Sequence, residues 1–435
     1  MGSMRTRASK PLKNAMAVAF AGVFLVAACS GSAPSPTSSP SASAPPASSS
    51  PAASASGPTA SAPALGVGSF DSGFSVMSEL TALTAAGSGL VGVILPDTTS
   101  SSRYVDFDAP YLTKAFTGAG YKTSDFKIDN AQGNDATELA LAQADITLGA
   151  KVLVVDPLDS TVGNQIQAAA AAAGVREISY DRATFQGTDT NYVSFDNEAV
   201  GKLIGQGFMD CVTAWKVAAP KVFELDGGED TDPNAISFAQ GYNSVIWGQA
   251  TTPLTAGLTN GAGFALVGDQ IAPGWNNTTG GTIFQQQFTA HPEINSVVTA
   301  NDGLANAVVT ALKSAGVPAK TIPTTGQDAT LQGMQNTLEG YQCGSVYKPV
   351  YLEAQAAVAL ATYLRAGVTP PAELVNGTTT NPADSAVTEP ATLLTATWVD
   401  TSNMASTVIK DAFVSASDLC AAVGAAVCTA TGIAP

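Results

Sequence analysis

The sequence predicts an α/β protein built as two doubly wound parallel-sheet lobes. Three observations carry this expectation. Short, wholly apolar runs such as Leu90–Leu95 (LVGVIL) have the continuous hydrophobicity of strands buried on both faces. They alternate with longer stretches of helical spacing, and repeated βα units imply parallel sheets covered by helices, with right-handed crossovers. The pattern persists over about 370 residues, more than one doubly wound domain holds, so two lobes are expected.

The elements read off in order. After Leu90–Leu95 come a helix near 111–119, a strand at 126–128 and a helix over 136–148. A buried strand at 152–155, an alanine-rich helix at 165–173 and a strand at 177–180 follow. A helix spans 197 to about 215, then a strand at 222–225 and a helix at 235–247. Residues 265–267, Ser296–Thr299, 321–323 and Ser345–Tyr347 read as later strands, each leading into helix or turn.

The N-terminus has a different character. Residues 1–28 carry Arg5, Arg7, Lys10 and Lys13 with no acid, and 15–28 read AMAVAFAGVFLVAA. A basic start, about 14 apolar residues and a small-residue exit describe a secretory signal, whereas a spanning helix needs roughly 20. The run closes on Leu25-Val26-Ala27-Ala28-Cys29-Ser30. This resembles the lipobox of bacterial lipoproteins, and the resemblance implies that Cys29 becomes the lipidated first residue of the mature chain. From 30 to 64 only Ser, Ala, Pro, Gly and Thr occur. Such a segment cannot bury enough surface to offset its ordering entropy. Its prolines favour an extended tether of about 3.1 Å per residue, up to ~100 Å in all.

Composition narrows the function. The chain has 19 Lys and Arg against 35 Asp and Glu, a net charge of −16. Loss of 1–28 leaves 15 cations and a net charge of −20. Such an acidic chain lacks the basic stripe that nucleic acid requires. A single histidine, His291, leaves little room for His-based catalysis and none for a zinc site with two histidines. No GxxxxGK phosphate loop occurs. No cofactor or metal is expected. Of the five cysteines, Cys29 would be the anchor; the even remainder in an exported chain suggests two disulfides. Cys420 and Cys428 stand close and pair in the simplest reading, which leaves Cys211 with Cys343. Two other connectivities stay open.

In open parallel sheets, ligands sit beyond the carboxyl ends of strands. Polar clusters follow the strand-like runs there: Ser101-Ser102-Arg103-Tyr104, Asp181-Arg182, Asp232-Pro233-Asn234, Trp275-Asn276, Asn301-Asp302, Gln327-Asp328 and Lys348. Carboxylates, amides and guanidinium groups hold hydroxyls in fixed directions, and indole or phenol faces stack on the C–H face of a sugar ring. Taken singly each has a plainer reading: an ion pair for Asp181-Arg182, packing for Trp275, a helix N-cap for Asn301.

Together the clusters resemble the periplasmic binding proteins of sugar ABC importers, of the type I fold, and within them the xylose-binding and multiple-monosaccharide-binding proteins. The stretches that carry the resemblance are PDTTSSSRYVD, ISYDR, YVSFDNEAVGKL, FELDGGEDTDPNA, VVTANDGLANAVVTALK, TTGQDATLQGM and GSVYKP, between Val91 and Leu394. It implies two lobes on a three-segment hinge, 67–195 with 349–390 and 196–348 with 391–435, after a signal (1–28) and a lipidated linker (29–66). It implies a ligand set of Arg103, Tyr104, Asp181, Arg182, Asn234, Trp275, Asn301, Asp328 and Lys348. The chain departs from the family at Pro233, where the family has Asn, and matches it poorly over 246–263.

The function implied is that of a monomeric, non-catalytic, lipid-anchored protein outside the cell membrane. It captures a xylose-like aldose between its lobes and delivers it to an ABC transporter permease. Arg103, Arg182 and Lys348 nearly balance Asp181 and Asp328, which suits an uncharged sugar, because an unpaired buried charge is costly. Two other readings are a sugar sensor that presents the loaded state to a signalling partner, and a glycoside-processing enzyme using Asp181 and Asp328. The enzyme needs one carboxyl kept protonated, whereas both have basic neighbours that favour ionisation.

Overall fold

The computed structural model describes residues 62–185, 190–229 and 231–434. The signal, Cys29 and all but the last five residues of the linker lie outside them.

The first sheet gathers early and late parts of the chain. After helix α1 (Thr81–Ala86) come β1 (Leu90–Leu95), α2 (Ala109–Gly118), β2 (Phe126–Asn130), α3 (Asp135–Thr147), β3 (Ala150–Val155), α4 (Ser160–Ala173), β4 (Arg176–Tyr180) and β5 (Thr190–Phe195). The chain then builds a second lobe from α5 (Asn197–Ala214), β6 (Lys221–Gly228), α6 (Pro233–Ile246), β7 (Ala265–Pro273), α7 (Asn277–Ala290), β8 (Ser296–Thr299), α8 (Asp302–Ser314), α9 (Leu331–Glu339) and β9 (Ser345–Tyr347). It returns to the first lobe with α10 (Val350–Arg365), β10 (Gly377–Asn381) and β11 (Asp384–Leu394), and ends with β12 (Thr397–Val399), α11 (Ala416–Val423) and α12 (Ala425–Ala430).

The large sheet runs β10-β11-β5-β4-β3-β1-β2 and is parallel except for the β10–β11 hairpin. Its strands alternate their burial. Val91, Val93, Val152, Val154 and Ile178 pack with α2 and α10, while Ile94, Leu153 and Val155 pack with α3 and α4 on the other face. Both faces are thus covered, which is why these strands are continuously apolar. The small sheet is β7-β6-β8, all parallel, over a core that includes Val222, Phe223, Phe284 and Leu304. Helices α5 and α6 meet at two glycines: a Cβ on Gly201 would lie 2.1 Å from the Phe238 carbonyl, so the helices approach backbone to backbone.

The chain crosses between the sheets three times: from β5 to α5, from β9 to α10 and from β11 to β12, which pairs antiparallel with β9. The two lobes therefore share a hinge of three segments, the type I arrangement. Disulfides join Cys211 on α5 to Cys343 before β9, and Cys420 on α11 to Cys428 on α12.

One expected strand is not formed. Residues 321–326 pass beside β8, and the amide of Val297 donates to the Pro323 carbonyl (3.0 Å). Pro323 has no N–H to return, and the Thr325 hydroxyl accepts from the Thr299 amide in place of a backbone carbonyl. The ladder therefore stops. The loop over 246–263 is tied to its own lobe instead of the cleft. Asn243 Nδ2 donates to Thr251 O (2.8 Å), and the Leu254 amide donates to Asp269 (2.6 Å).

Candidate functional site

The site is built where the strand ends of both sheets face each other. After β1 the Asp97 carboxylate accepts from the amides of Thr99 and Ser100, each at 2.6 Å, and from the Ser100 hydroxyl. This fixes the turn that delivers Arg103 and Tyr104 into the cleft. Arg103 is 1% exposed. Its Nε and Nη2 grip Asp108 (2.9 and 2.8 Å), Nη2 also reaches Glu353 (2.6 Å), and Nη1 donates to Asp181 (2.8 Å). Four of its five N–H groups are spent on carboxylates. Arg103 therefore organises the site more than it offers donors to a ligand.

Asp181 follows β4. Burial pulls its carboxyl up, but Arg103, then Lys348 and Arg182, outweigh burial and hold it at about 2. It is a carboxylate at any ordinary pH. Tyr104 donates to it (3.3 Å) and accepts from Arg182 (3.0 Å). Arg182 also donates to the Pro157 carbonyl (3.2 Å) and lies 3.7 Å from Asp156.

The second lobe supplies the other wall. Asp232 caps α6 through the amides of Asn234 and Ala235. Pro233 is the first residue of that helix, where its missing N–H costs nothing, so the departure from the family there is structurally neutral. Asn234 donates across the cleft to the Asp181 carbonyl (2.8 Å) and accepts from Asn197 (3.0 Å). The Trp275 Nε1 donates to Asp232 (2.8 Å). Its six-membered ring lies on Gly227, where a Cβ would come within 1.9 Å of Cε3. Phe238 meets the ring edge-on at 6.2 Å.

Asn301 caps α8 with its carbonyl oxygen, accepting from Leu304 (2.9 Å). Its neighbour Asp302 accepts from Thr330, Gln342 and Ser345 and so ties down the loop that presents Asp328. Burial, then the Asp328 charge, pushes Asp302 up to about 7. Asp328 pairs with Lys348 (3.1 Å) and accepts from Ser101 of the opposite lobe (3.2 Å). Lys348 also stands 3.9 Å from Asp181.

All nine residues expected from the sequence line one cavity of about 30 Å³, together with Ser100, Ser101, Phe238 and Gln327. Sequence reasoning did not single out Phe238. Its signal was available: it stands four residues after Asn234 on α6 and so shares its helix face. Larger hollows of about 350 and 560 Å³ flank the cavity, but their charged lining residues are all acidic. The small cavity brings opposite charges together, and so does an adjoining hollow of about 70 Å³, where Arg182 meets Asp97, Asp159, Glu229 and Asp232. Asp181, Trp275 and Asp328 all sit on left-handed backbone, with φ of 58°, 56° and 91°. Such conformations cost of order 1–3 kcal/mol each for non-glycine residues and cluster at ligand sites. Among the described residues no group of His, Cys, Asp or Glu is arranged to hold a metal ion.

Residues 91–368 match the periplasmic binding protein domain. The chain belongs to the periplasmic binding protein family. This binding protein is 32% identical over 293 residues to the D-xylose-binding periplasmic protein of Escherichia coli (strain K12), covering 67% of this chain and 82% of that one. It is 28% identical over 345 residues to the multiple sugar-binding periplasmic receptor of Rhizobium radiobacter, covering 77% and 93%. Among solved structures it is similar to a carbohydrate transporter solute binding protein from Chloroflexus aurantiacus in complex with D-glucose. There the TM-score is 0.64 and the identity 26%, over 76% of this chain and 98% of that one. These relatives are transport-binding proteins and not enzymes.

Proposed function

We propose that this binding protein captures an uncharged monosaccharide, a xylose-like aldose, in the cavity between its lobes and hands it to an ABC transporter permease. The observation that carries the reading is the charge-paired cavity itself. Arg182 and Lys348 face Asp181 and Asp328 from both lobes, two cations against two carboxylates, while Arg103 is held by Asp108, Asp181 and Glu353. Such groups can make charge-assisted hydrogen bonds to hydroxyls, whereas an added ligand charge would upset the balance. Trp275, backed by Gly227, offers a flat apolar face for the ring. The relatives, a D-xylose-binding and a multiple sugar-binding protein, support the same ligand class.

A space of about 30 Å³ takes some two or three waters, less than a sugar ring. Entry therefore needs the lobes to part about the three crossings and close again over the ligand, a hinge motion. By the sequence reading the protein works outside the cell, held to the membrane by lipid on Cys29.

Calorimetric titration against xylose, arabinose, glucose, galactose and xylitol tests the ligand class. Saturable binding of at least one at micromolar level is expected, and silence across the panel defeats the reading. Small-angle scattering tests closure, which fails if saturating ligand leaves the envelope unchanged. A Cys29→Ser chain should leave the membrane fraction for the medium.

A further inference from the structure

The C-terminal segment lies beyond the residues that match the family, yet it packs into the crossing that carries Lys348. Asp411 accepts hydrogen bonds from the Tyr347 hydroxyl (3.1 Å) and the Tyr351 hydroxyl (3.0 Å). These tyrosines stand one residue before Lys348 and three after it. Tyr347 closes β9 in the second lobe, and Tyr351 opens α10 against the large sheet. One carboxylate thus holds both ends of a hinge crossing.

Neighbouring contacts fix that carboxylate in turn. Phe413, two residues on, stacks on Phe107 at 4.0 Å and packs at 4.9 Å on Tyr347. Phe107 lies on the same turn as Arg103 and Tyr104. Tyr111 meets Tyr351 edge-on at 6.1 Å. Farther along, α11 packs against α9, and the Cys420–Cys428 bond closes the two terminal helices on each other. Burial, then the charge of Asp411, pushes the Tyr351 phenol up to about 12, so it stays a donor at neutral pH.

Lys348 reaches Asp328 at 3.1 Å and Asp181 at 3.9 Å, one on each side of the cleft. Its ammonium can bridge them only while the short segment beneath it keeps its course. We propose that Asp411 is a positioning residue for Lys348: by gripping Tyr347 and Tyr351 it fixes the 347–351 crossing and sets the ammonium between Asp181 and Asp328. This rests on the sugar-binding reading of the cavity. Because Lys348 joins the two lobes, a loosened grip shows as faster ligand release more than as slower capture.

The test uses the whole chain with D-xylose and D-glucose, followed by calorimetry and stopped-flow tryptophan fluorescence. Asp411→Ala is expected to weaken binding about 3- to 10-fold, an ordinary coupling between neighbouring residues, with most of the change in the dissociation rate. The nearly isosteric pair Tyr347→Phe with Tyr351→Phe should reproduce it, and Asp411→Asn, which keeps an acceptor oxygen, should recover most of it. Hydrogen exchange at the amides of 347, 348, 350 and 351 should quicken in Asp411→Ala whether or not sugar is present. Unchanged exchange overturns the proposal, as does a tyrosine pair that releases sugar at the wild-type rate. A wild-type chain that binds no sugar defeats the reading of the cavity, while the exchange still reads the grip.

Discussion

Asn234 on α6 of the second lobe donates a 2.8 Å hydrogen bond to the backbone carbonyl of Asp181 in the first lobe. The bond spans the cleft directly and leaves the Asp181 carboxylate free for Arg103 and Lys348. It therefore exists only while the lobes are together. Asn234→Ala should remove about 1 kcal/mol from the closed arrangement. The expected outcome is weaker sugar binding, roughly fivefold, with the thermal midpoint nearly unchanged. Equal affinity in calorimetry would remove this bond from the closure energetics.

Trp275 and Gly227 form a second testable pair. Trp275→Ala should weaken sugar binding by roughly 1–3 kcal/mol, the value of one large apolar contact face. Gly227→Ala keeps the indole but drives a methyl to 1.9 Å from it, so the ring must shift. We expect a loss of similar size from the added methyl alone. If Gly227→Ala binds sugar as the wild type does, the indole is not the platform.

The Asp181 contribution to affinity should barely respond to pH between 5 and 8, whereas Asp302, pushed up to about 7, titrates inside that window. Asp181 titrates at about 2, well below its unfolded value of ~3.9. A depressed carboxylate contributes its stabilisation in full above the unfolded value and loses it only as pH falls through the folded one. The Asp181 network should thus hold until roughly pH 4 and fail below it. Titrations at pH 4.5 and 5.5, above the Asp181 range and below that of Asp302, should give matching constants; a tenfold change there would mean that another group controls the site.

Stability should show the opposite trend with pH. Glu177 on β4 is buried, and burial, then the nearby charge of Glu389, pushes it up to about 8. In the unfolded chain it titrates near ~4.3. A raised carboxyl gives stability that is complete below the unfolded value and lost as pH rises through the folded one. The thermal midpoint should therefore fall between pH 5 and 8. Glu177→Gln should raise stability at pH 8 by about 1–3 kcal/mol and leave pH 5 nearly unchanged. A melt series in which the variant and the wild type move in parallel would reject this.

Much of the molecule was legible in the sequence because its signals are local. The runs at Leu90–Leu95, Ser296–Thr299 and Ser345–Tyr347 appear as strands with the same ends. Helix α5 starts at Asn197 after the Asp196 cap, as its polar-to-apolar switch suggests. The hairpin β10–β11 was not legible. Most of its residues are polar, only the last part of β11 is buried, and Pro390 stands within β11, so neither periodicity nor propensity marks it. The cavity residues were found as strand-end clusters, and the structure brings all nine of them to one place. Asp108 and Glu353, which hold Arg103 from beneath, were not found. Glu353 is 250 residues from Arg103; as the lone acid of the apolar helix α10 it signals a buried partner, but nothing local says which one.

The left-handed backbone at Asp181, Trp275 and Asp328 divides the cavity into positions with unequal freedom to vary. A replacement at any of the three must first tolerate that conformation, which β-branched and bulky residues resist, before it can address a ligand. Ser100, Ser101, Phe238 and Gln327 line the same space on ordinary backbone. Divergence in ligand preference, by natural drift or by a laboratory library, is thereby channelled to positions on ordinary backbone such as those four, while the three strained positions preserve the frame within which any new preference is expressed.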